Sequence, residues 1–257
     1  MKTVVLRIAF DGTNYSGMQN QRSAPSVQQE LERAFRETTG YHCHVIAAGR
    51  TDAGVHARGM VVHARVRDDW GIEQKKIAIA INSRLPKDIR VNGAQLRDDD
   101  VFHARFDAIG REYSYTLRMR EDPLTRLYSW QTRYILDADV LHNSAEVFRG
   151  LHNFTTFSKN NEEIHSYICN VITCEWETVN PLTFRLHIRA NRFVYGMVRS
   201  LVGAMVDAAR GKRSIDNLRT SLAACDRRFV SPLAPAEGLI FEAAYYPDEL
   251  HVDFEED

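Results

Sequence analysis

No apolar run in this 257-residue sequence approaches the roughly 18 residues that a membrane-spanning helix needs. The first residues, 1–7, carry only a brief apolar patch and lack the layout of a secretory signal peptide. We therefore predict a cytoplasmic protein with no membrane partner. Charged residues make up 26% of the chain and hydrophobic residues 44%, which is typical of a globular protein. The length predicts one large domain or two of medium size.

Cysteine is scarce: the chain has four, and none forms a CxxC pair. A disulfide framework and a cysteine-based zinc site are therefore poorly supported, and we predict free, buried thiols. Cys169 and Cys174 are five residues apart, a spacing that places them on opposite faces of a regular strand. The triplet His42-Cys43-His44 resembles a metal-binding pattern, but a strand directs Cys43 away from both histidines. We predict no metal and no cofactor.

The sequence has little excess charge, with a formal net charge of −1, which by itself argues against a nucleic-acid partner. The charge is unevenly distributed, however, because residues 248–257 hold six acids and no Lys or Arg. The rest of the chain has a net charge of +5, and 27 of its 33 basic residues are Arg. Guanidinium groups bind phosphate in a bidentate manner and stack on bases, so an RNA partner is compatible with this composition. Arginine also forms ordinary surface ion pairs.

Hydrophobic periodicity predicts the same order of elements in both halves of the chain. The first half has strands at 4–10, 45–48, 60–66 and from 89, with helices at 27–35 and 72–85. The second half has strands at 112–117, 171–179, 183–190 and 239–245, with helices at 138–148 and 193–209. The order β-α-β-β-α-β is that of a ferredoxin-like (RRM-like) domain. We predict an α+β protein with domains at 1–107 and 108–247 and an acidic tail at 248–257.

The most distinctive stretch is the loop Gly49-Arg50-Thr51-Asp52-Ala53-Gly54-Val55-His56-Ala57, between two predicted strands. It brings a carboxylate, a guanidinium and an imidazole into one polar loop. Its glycines allow a tight turn or a close approach of the backbone to a ligand. The alternative is a plain connection in which Asp52 caps backbone amides, since Asp is a favoured turn residue.

Two other segments carry aromatic or apolar side chains suited to a base. Tyr113 and Tyr115 share one face of a predicted strand, and aromatic rings on a sheet commonly stack on RNA bases. Such rings are as often plain core residues. Leu239 follows a glycine directly, so the backbone there can bring its side chain against a ligand.

The predicted helix at 193–209 contains an arginine between small neighbours. Arg199 has Gly196 three residues before it and Gly203 four residues after it, so this helix face can pack closely against another element. A buried arginine needs a carboxylate partner, and Asp52 is one candidate. The alternative is an Arg199 side chain exposed to solvent.

Taken together, these segments resemble the TruA-type tRNA pseudouridine synthases over nearly the whole length. The segments that match are the N-terminal motif (11–21), the catalytic GRTDAGVHA loop (49–57), the tyrosine strand (111–115), a Gly-Leu-His-Asn-Phe segment (150–154), the arginine helix (193–203) and the closing APAxGL segment (234–239). The sequence departs from the usual pattern at Met18, where the family has Trp, and at Asn153, where it has Asp.

The resemblance implies two ferredoxin-like domains whose sheets join into one extended, mostly antiparallel sheet, with helices on one face and the active site in the cleft between the domains. It implies a homodimer that binds tRNA. It also implies an isomerase that converts uridine to pseudouridine in the anticodon stem-loop, at about positions 38 to 40, without a metal or cofactor.

Carried over to this sequence, the resemblance makes Asp52 the catalytic aspartate and Arg199 its partner in an ion pair. Tyr113 stacks on the target base, and Leu239 packs against it. Arg50 takes part in extruding the nucleotide from its stack.

The chemistry suits these residue types. The C1′–N1 bond must break and the uracil must be rejoined through C5, for which a carboxylate can serve as nucleophile or base. Tyr113 is also a candidate to take a proton late in the reaction. Arg58 and His56 are candidates for contacts to the RNA backbone, although for His56 we favour a structural hydrogen bond.

Three other functions would each fit part of this sequence. A synthase of the same type with a different RNA target would have the same motifs. A non-catalytic RNA-binding protein of two ferredoxin-like modules would have no use for Asp52. A phosphate-handling enzyme would use the glycine spacing of Gly12 to Gly17, but Met18-Gln19 stands where a Walker loop needs Lys and Ser or Thr.

Overall fold

The computed structural model describes residues 1–21, 24–159, 166–229, 231–252 and 254. The chain divides into two compact units. Unit 1 comprises Met1–Ile109 together with Phe241–Asp257, and unit 2 comprises Gly110–Ile240. The chain from Phe241 onward lies with unit 1, and the division into domains at 1–107 and 108–247 stays a prediction. No helix in the described part of the chain is long and apolar enough to cross a membrane.

The described residues form an α+β protein whose strands pair mostly in antiparallel fashion, which confirms the predicted fold class at this level. The strands are β1 (Lys2–Phe10), β2 (Val45–Ala47), β3 (His56–Val66), β4 (Ile89–Arg97), β5 (Gly110–Arg118), β6 (Trp130–Gln131), β7 (Gly150–Asn153), β8 (Ile168–Asn180), β9 (Thr183–Ala190) and β10 (Leu239–Tyr245). The helices are α1 (Val27–Thr39), α2 (Gln74–Asn82), α3 (Ala138–Glu146), α4 (Met197–Ala209) and α5 (Ile215–Ala224).

Unit 1 has the predicted order β-α-β-β-α-β from β1 to β4. Its strands lie in the order β4-β1-β3-β10, and β2 also pairs with β3. Strand β1 is antiparallel to both of its neighbours, and Val4, Val5 and Leu6 are fully buried on it. Helix α1 begins where the sequence predicts, because the Ser26 side chain accepts a hydrogen bond from the Gln29 N–H.

Unit 2 has the strand order β5-β9-β8-β7, and each neighbouring pair is antiparallel. The predicted strands and helix α3 are present, whereas β6, β7 and α5 were not predicted. Helix α5 had a signal in the sequence: Ser214 and Asn217 form a capping box at its start.

The arginine helix begins later than predicted. Helix α4 starts at Met197 rather than Phe193, because Gly196 before it adopts a left-handed conformation with φ of 73°. A left-handed residue interrupts the helical backbone, and glycine adopts it without strain. Met197, Leu201 and Met205 are buried on the helix, as the apolar stripe predicts.

Strand β8 contains a bulge that the sequence analysis did not anticipate. Val171 pairs with Ala190 and Thr173 with Arg189, so the extra residue between them reverses the alternation of faces. Cys169 and Cys174 are therefore both buried, and the prediction that they lie on opposite faces is wrong. All four cysteines are free as predicted, although one of them, Cys225, is exposed.

The described part of the acidic tail packs on strand β4 in unit 1. The side chains of Gln95 and Arg97 donate hydrogen bonds to the carbonyls of His251 (2.7 Å) and Leu250 (2.6 Å). The ring of Phe254 lies over Gly93, where a Cβ would come within 2.7 Å of the Phe254 Cβ. Residues 253 and 255–257 of the predicted tail lie outside the described residues.

A buried histidine in unit 1 makes stability depend on pH. His63 is 2% exposed on β3, and its Nδ1 accepts a hydrogen bond from the Ala104 N–H at 3.1 Å. Burial, aided by the charge of Arg65, lowers the pKa of His63 to about 3. In the unfolded chain a histidine titrates near 6.5. Between these values the unfolded state binds more protons, so stability falls as pH falls from about 6.5.

We therefore expect His63→Gln, which keeps an acceptor but does not titrate, to flatten the acid limb of the stability curve. Below about pH 6 the wild type should lose up to about 1.4 kcal/mol more per pH unit than this variant. The measurement is urea unfolding from pH 7 to pH 4.5, with His142→Gln, at a half-buried histidine of unit 2, as control. Parallel curves for wild type and His63→Gln would contradict a buried, neutral His63.

Candidate active site

The loop from Gly49 to Val55 connects β2 to β3, as predicted. Strand β2 is antiparallel to β3, with Val45 opposite Ala64, so both ends of the loop are fixed by one strand pair. Asp52 is half-buried within it, whereas Arg50 is exposed. The loop thus holds its carboxylate at the end of a rigid pair of strands, with the guanidinium open to solvent.

A second loop, residues 11–21, packs directly against this one. The Gly54 N–H donates to the Tyr15 carbonyl at 3.2 Å, and the Met18 N–H donates to the Thr51 carbonyl at 3.4 Å. A Cβ on Gly12 would lie 2.0 Å from the Val55 carbonyl oxygen. These contacts join the two loops through their backbones.

Gly17 touches the peptide on which Asp52 is mounted. A Cβ at this position would lie 2.2 Å from the Thr51 carbonyl oxygen and 3.2 Å from the Asp52 carbonyl carbon. Its φ is +102°, a conformation that glycine adopts freely and other residues rarely do. The glycine therefore sets how closely the two loops approach.

We expect Gly17→Ala to destabilise unit 1 by clash and by backbone strain together. Gly40→Ala is a matched control, because Gly40 also has a positive φ (+82°) but a Cβ there would have nothing within 4 Å. The control should cost about 1 kcal/mol of unfolding free energy, and Gly17→Ala about 1 to 3 kcal/mol more. Urea unfolding measures both. Equal losses of unfolding free energy in Gly17→Ala and Gly40→Ala would show that the two loops can move apart at no cost in free energy.

His56 has a structural hydrogen bond, as the sequence analysis favoured. It is 3% exposed, and its Nδ1 accepts a hydrogen bond from the Gly12 N–H at 3.0 Å. The same nitrogen lies 3.1 Å from Asp11 Oδ1, which also accepts from the Thr13 N–H and hydroxyl. The imidazole thereby joins the start of β3 to the first residues of the second loop.

Asp88 anchors the second loop, and the sequence analysis did not identify it. Its carboxylate accepts a hydrogen bond from the Tyr15 hydroxyl at 2.8 Å, and its carbonyl accepts one from the Asp11 N–H at 2.9 Å. Burial, followed by the neighbouring Asp88 carboxylate, raises the pKa of Tyr15. The phenol therefore stays a donor. No local sequence signal marks Asp88, which lies in the turn before β4.

Arg58, the other predicted RNA contact in unit 1, is exposed and forms an ion pair. Its Nη1 lies 2.8 Å from Glu242 Oε1 on β10. Gly59 lies beside the same residue: a Cβ there would be 2.3 Å from the Glu242 carbonyl oxygen. A phosphate at Arg58 would therefore compete with this carboxylate.

In unit 2 the two tyrosines of β5 differ in exposure and in their contacts. Tyr113 is 8% exposed, and its ring meets Phe193 edge-on with centroids 5.1 Å apart. Tyr115 is fully buried, donates its hydroxyl to the Pro235 carbonyl at 2.9 Å, and leaves no room for a Cβ on Gly238. Burial raises the pKa of Tyr115 well above its usual range. Tyr115 is thus a core residue that fixes the segment before Leu239.

Arg199 packs against the closing segment, 231–239. Its Nε donates to the Ala234 carbonyl at 2.7 Å, and the Ala234 N–H donates to the Arg199 carbonyl at 3.1 Å. One turn later, a Cβ on Gly203 would lie 2.1 Å from the Pro232 carbonyl oxygen. The close packing predicted for this helix face is confirmed. Leu239, at the start of β10, is 5% exposed.

The two departures from the family pattern are accommodated locally. Asn153 accepts hydrogen bonds through Oδ1 from the N–H (3.0 Å) and hydroxyl (2.7 Å) of Thr155, which an aspartate oxygen at this position would equally accept. Met18, within the second loop, is an apolar side chain that is buried, with 2% of its surface exposed.

The predicted site residues fall into two sets. Unit 1 holds Asp52 with Arg50, His56 and Arg58, and unit 2 holds the remaining three, which are Tyr113, Arg199 and Leu239. The ion pair predicted between Asp52 and Arg199 joins the two sets and stays a prediction.

Comparison with known proteins gives a consistent result. The family model described as tRNA pseudouridine synthase matches residues 7–107 and 145–247. The chain is 38% identical over 249 residues to tRNA pseudouridine synthase A of Chlamydia trachomatis serovar A, covering 96% of this chain and 92% of the relative. It is 34% identical over 243 residues to the Bacillus pumilus protein of that name, covering 93% and 97%. The chain therefore belongs to the tRNA pseudouridine synthase family.

Proposed function

We propose that this protein is an isomerase that converts uridine to pseudouridine in tRNA, with Asp52 as the catalytic carboxylate. The observation that carries the proposal is the loop from Gly49 to Val55, held by backbone contacts to Gly12 and Gly17 so that one half-buried carboxylate is presented at its centre. Rigid placement of a reacting group is a large source of rate enhancement.

The reaction needs one carboxylate and a closed environment. The C1′–N1 bond breaks, a C1′–C5 bond forms, the proton on C5 is lost and N1 gains a proton. Asp52 assists cleavage as nucleophile or base, for which it must be ionised. A neighbouring guanidinium favours the charged form of a carboxyl, and this is the role we assign to Arg199.

The detached uracil must be retained until it is rejoined. Tyr113 and Leu239 provide an aromatic and an apolar surface for this purpose. The Phe193 ring against Tyr113 and the Tyr115 hydroxyl on Pro235 limit the movement of both surfaces. Stacking of a base on an aromatic ring contributes about 1 to 3 kcal/mol.

The target nucleotide must first leave its stack, which costs a few kcal/mol in a paired stem. Arg50 is exposed and lies two residues before Asp52, where its guanidinium can fill the vacated space or bind the phosphate. Arg58 adds a phosphate contact once its carboxylate partner Glu242 is displaced.

We also propose the domain arrangement, the oligomeric state and the RNA target of the enzyme. We assign two ferredoxin-like domains to residues 1–107 and 108–247, and the active site to the cleft between these domains. The enzyme acts in the cytoplasm as a homodimer on the anticodon stem-loop of tRNA. These assignments follow from the family motifs, with Asp52, Tyr113 and Arg199 as catalytic residues.

The test is tritium release from an unmodified tRNA transcript labelled with [5-³H]uridine, because only the substitution at C5 frees this hydrogen. We expect release without added metal or cofactor, and mapping of the product should place pseudouridine in the anticodon stem-loop. Tritium release with pseudouridine mapped outside the anticodon stem-loop would indicate a different target uridine. Tight tRNA binding without release would support a non-catalytic binding module instead.

A further inference from the structure

Three potential metal ligands of unit 1 lie together away from the loop that carries Asp52. Glu32 projects from α1, and His42 and His44 lie in the segment between α1 and β2. One ligand atom from each residue lies within 4.8 Å of the other two. Glu32 is buried and both histidines are exposed, so the group opens to solvent on its histidine side.

The carboxylate of Glu32 is fixed in position. Its Oε1 accepts hydrogen bonds from Gln28 Nε2 at 2.9 Å and from the Val45 N–H at 3.1 Å, and its Oε2 accepts from Asn20 Nδ2 at 3.1 Å. His44 Nδ1 lies 2.9 Å from Oε1. Hydrogen bonds from surrounding groups to a ligating carboxylate are typical of metal sites, where they orient the ligand.

The backbone separates the two histidines from the thiol between them. Cys43 is 2% exposed, whereas His42 and His44 are exposed, so the imidazoles are free to turn toward Glu32 while the thiol is held in the core. The available ligands are therefore two imidazoles and one carboxylate.

We propose that Glu32, His42 and His44 bind a divalent transition-metal ion, Zn²⁺ in particular, with water completing the coordination. Two histidines and one glutamate form a ligand set that zinc accepts, at distances of about 2.0 to 2.2 Å. Ligand atoms of a tetrahedral site at these distances lie about 3.4 Å apart. Binding therefore requires the ligand atoms to move closer together than their present limit of 4.8 Å, and the two histidines that must move are exposed side chains.

The ion would join two elements that flank the loops of the candidate active site, namely α1, which follows the second loop, and β2, which precedes the loop of Asp52. Val45, which donates to Glu32, opens β2, and β2 leads directly into the loop that carries Asp52. Gln28 also accepts the Asn20 N–H through its side chain, and its own N–H donates to the Met18 carbonyl in the second loop. The site is therefore a structural one, and its occupancy stabilises unit 1 rather than taking part in the reaction.

The test is a zinc titration of the full chain after treatment with a chelator, in competition with a chromophoric zinc indicator. We expect one equivalent to bind, and His42→Ala and His44→Ala each to weaken binding by at least about tenfold. His142→Ala removes a half-buried histidine on α3, outside the proposed site, and should leave the zinc affinity unchanged. Zinc should raise the melting temperature of wild type and of His142→Ala only, because a ligand stabilises the state that binds it.

Two further measurements keep the proposal independent of folding and of catalysis. Circular dichroism should show that His42→Ala and His44→Ala fold as the wild type does. Co²⁺ in place of zinc should give the visible absorption of a tetrahedral or five-coordinate site, and this absorption should vanish in His42→Ala/His44→Ala. Equal zinc affinity in the wild type and this double variant would overturn the proposal.

Discussion

Asp52→Asn is expected to abolish tritium release from labelled tRNA, with a loss of at least about 1,000-fold in rate. The substitution keeps the size of the side chain but removes its charge, so the amide can act neither as nucleophile nor as base. The Thr51 and Asp52 carbonyls accept backbone hydrogen bonds that hold the loop, and the substitution keeps both carbonyls. Folding and tRNA binding should therefore be close to those of the wild type.

Two variants make this result specific. Asp69→Asn removes an exposed carboxylate elsewhere in unit 1 and should release tritium at the wild-type rate. Asp52→Glu restores the charge but moves the carboxylate by one methylene, a displacement large enough to cost about 100-fold in rate. Substantial release by Asp52→Asn, with mapping at the same uridine, would show that another residue performs the chemistry.

Local elements were predictable because their signals are local. The loop of Gly49 to Val55 was identified between two strands, since glycine-bounded polar residues between apolar runs seldom form anything else. Ser26 gave the start of α1 for a similar reason: its hydroxyl caps an N–H three residues away. The close packing of the Arg199 face also followed from sequence, because Gly203, one turn after Arg199, leaves room for a neighbouring segment.

What the sequence could not provide was the identity of distant partners. Ala234 accepts the Arg199 Nε–H from 35 residues away, and Asp88 accepts the Tyr15 hydroxyl from 73 residues away. Neither contact leaves a periodic pattern. The bulge in β8 was missed because one extra residue reverses the faces of a strand without changing its composition.

The proposed metal site also depends on a distant partner that the sequence does not identify. The sequence predicts no metal at His42 and His44, because a strand directs Cys43 away from both histidines. The third ligand, Glu32, lies ten residues upstream of His42 on a helix, and only the folded chain brings it beside them. Its burial, with three hydrogen bonds besides that to His44, is a tertiary property that helical periodicity does not reveal.

Arg199→Met is expected to lower the rate of the chemical step by about 100-fold while changing the affinity for tRNA much less. Met preserves much of the buried volume but loses the guanidinium that we assign to Asp52 and the hydrogen bond to the Ala234 carbonyl. That hydrogen bond contributes about 1 kcal/mol to stability, so the variant should still fold. Single-turnover tritium release separates the rate from binding.

A variant that keeps the positive charge distinguishes an electrostatic role from a purely structural one. Arg199→Lys retains the charge but loses the shape of the guanidinium, so its rate should lie between those of Arg199→Met and the wild type. Arg219→Met, on the exposed face of α5, should match the wild type. Normal release by Arg199→Met at neutral pH would exclude the ion pair with Asp52.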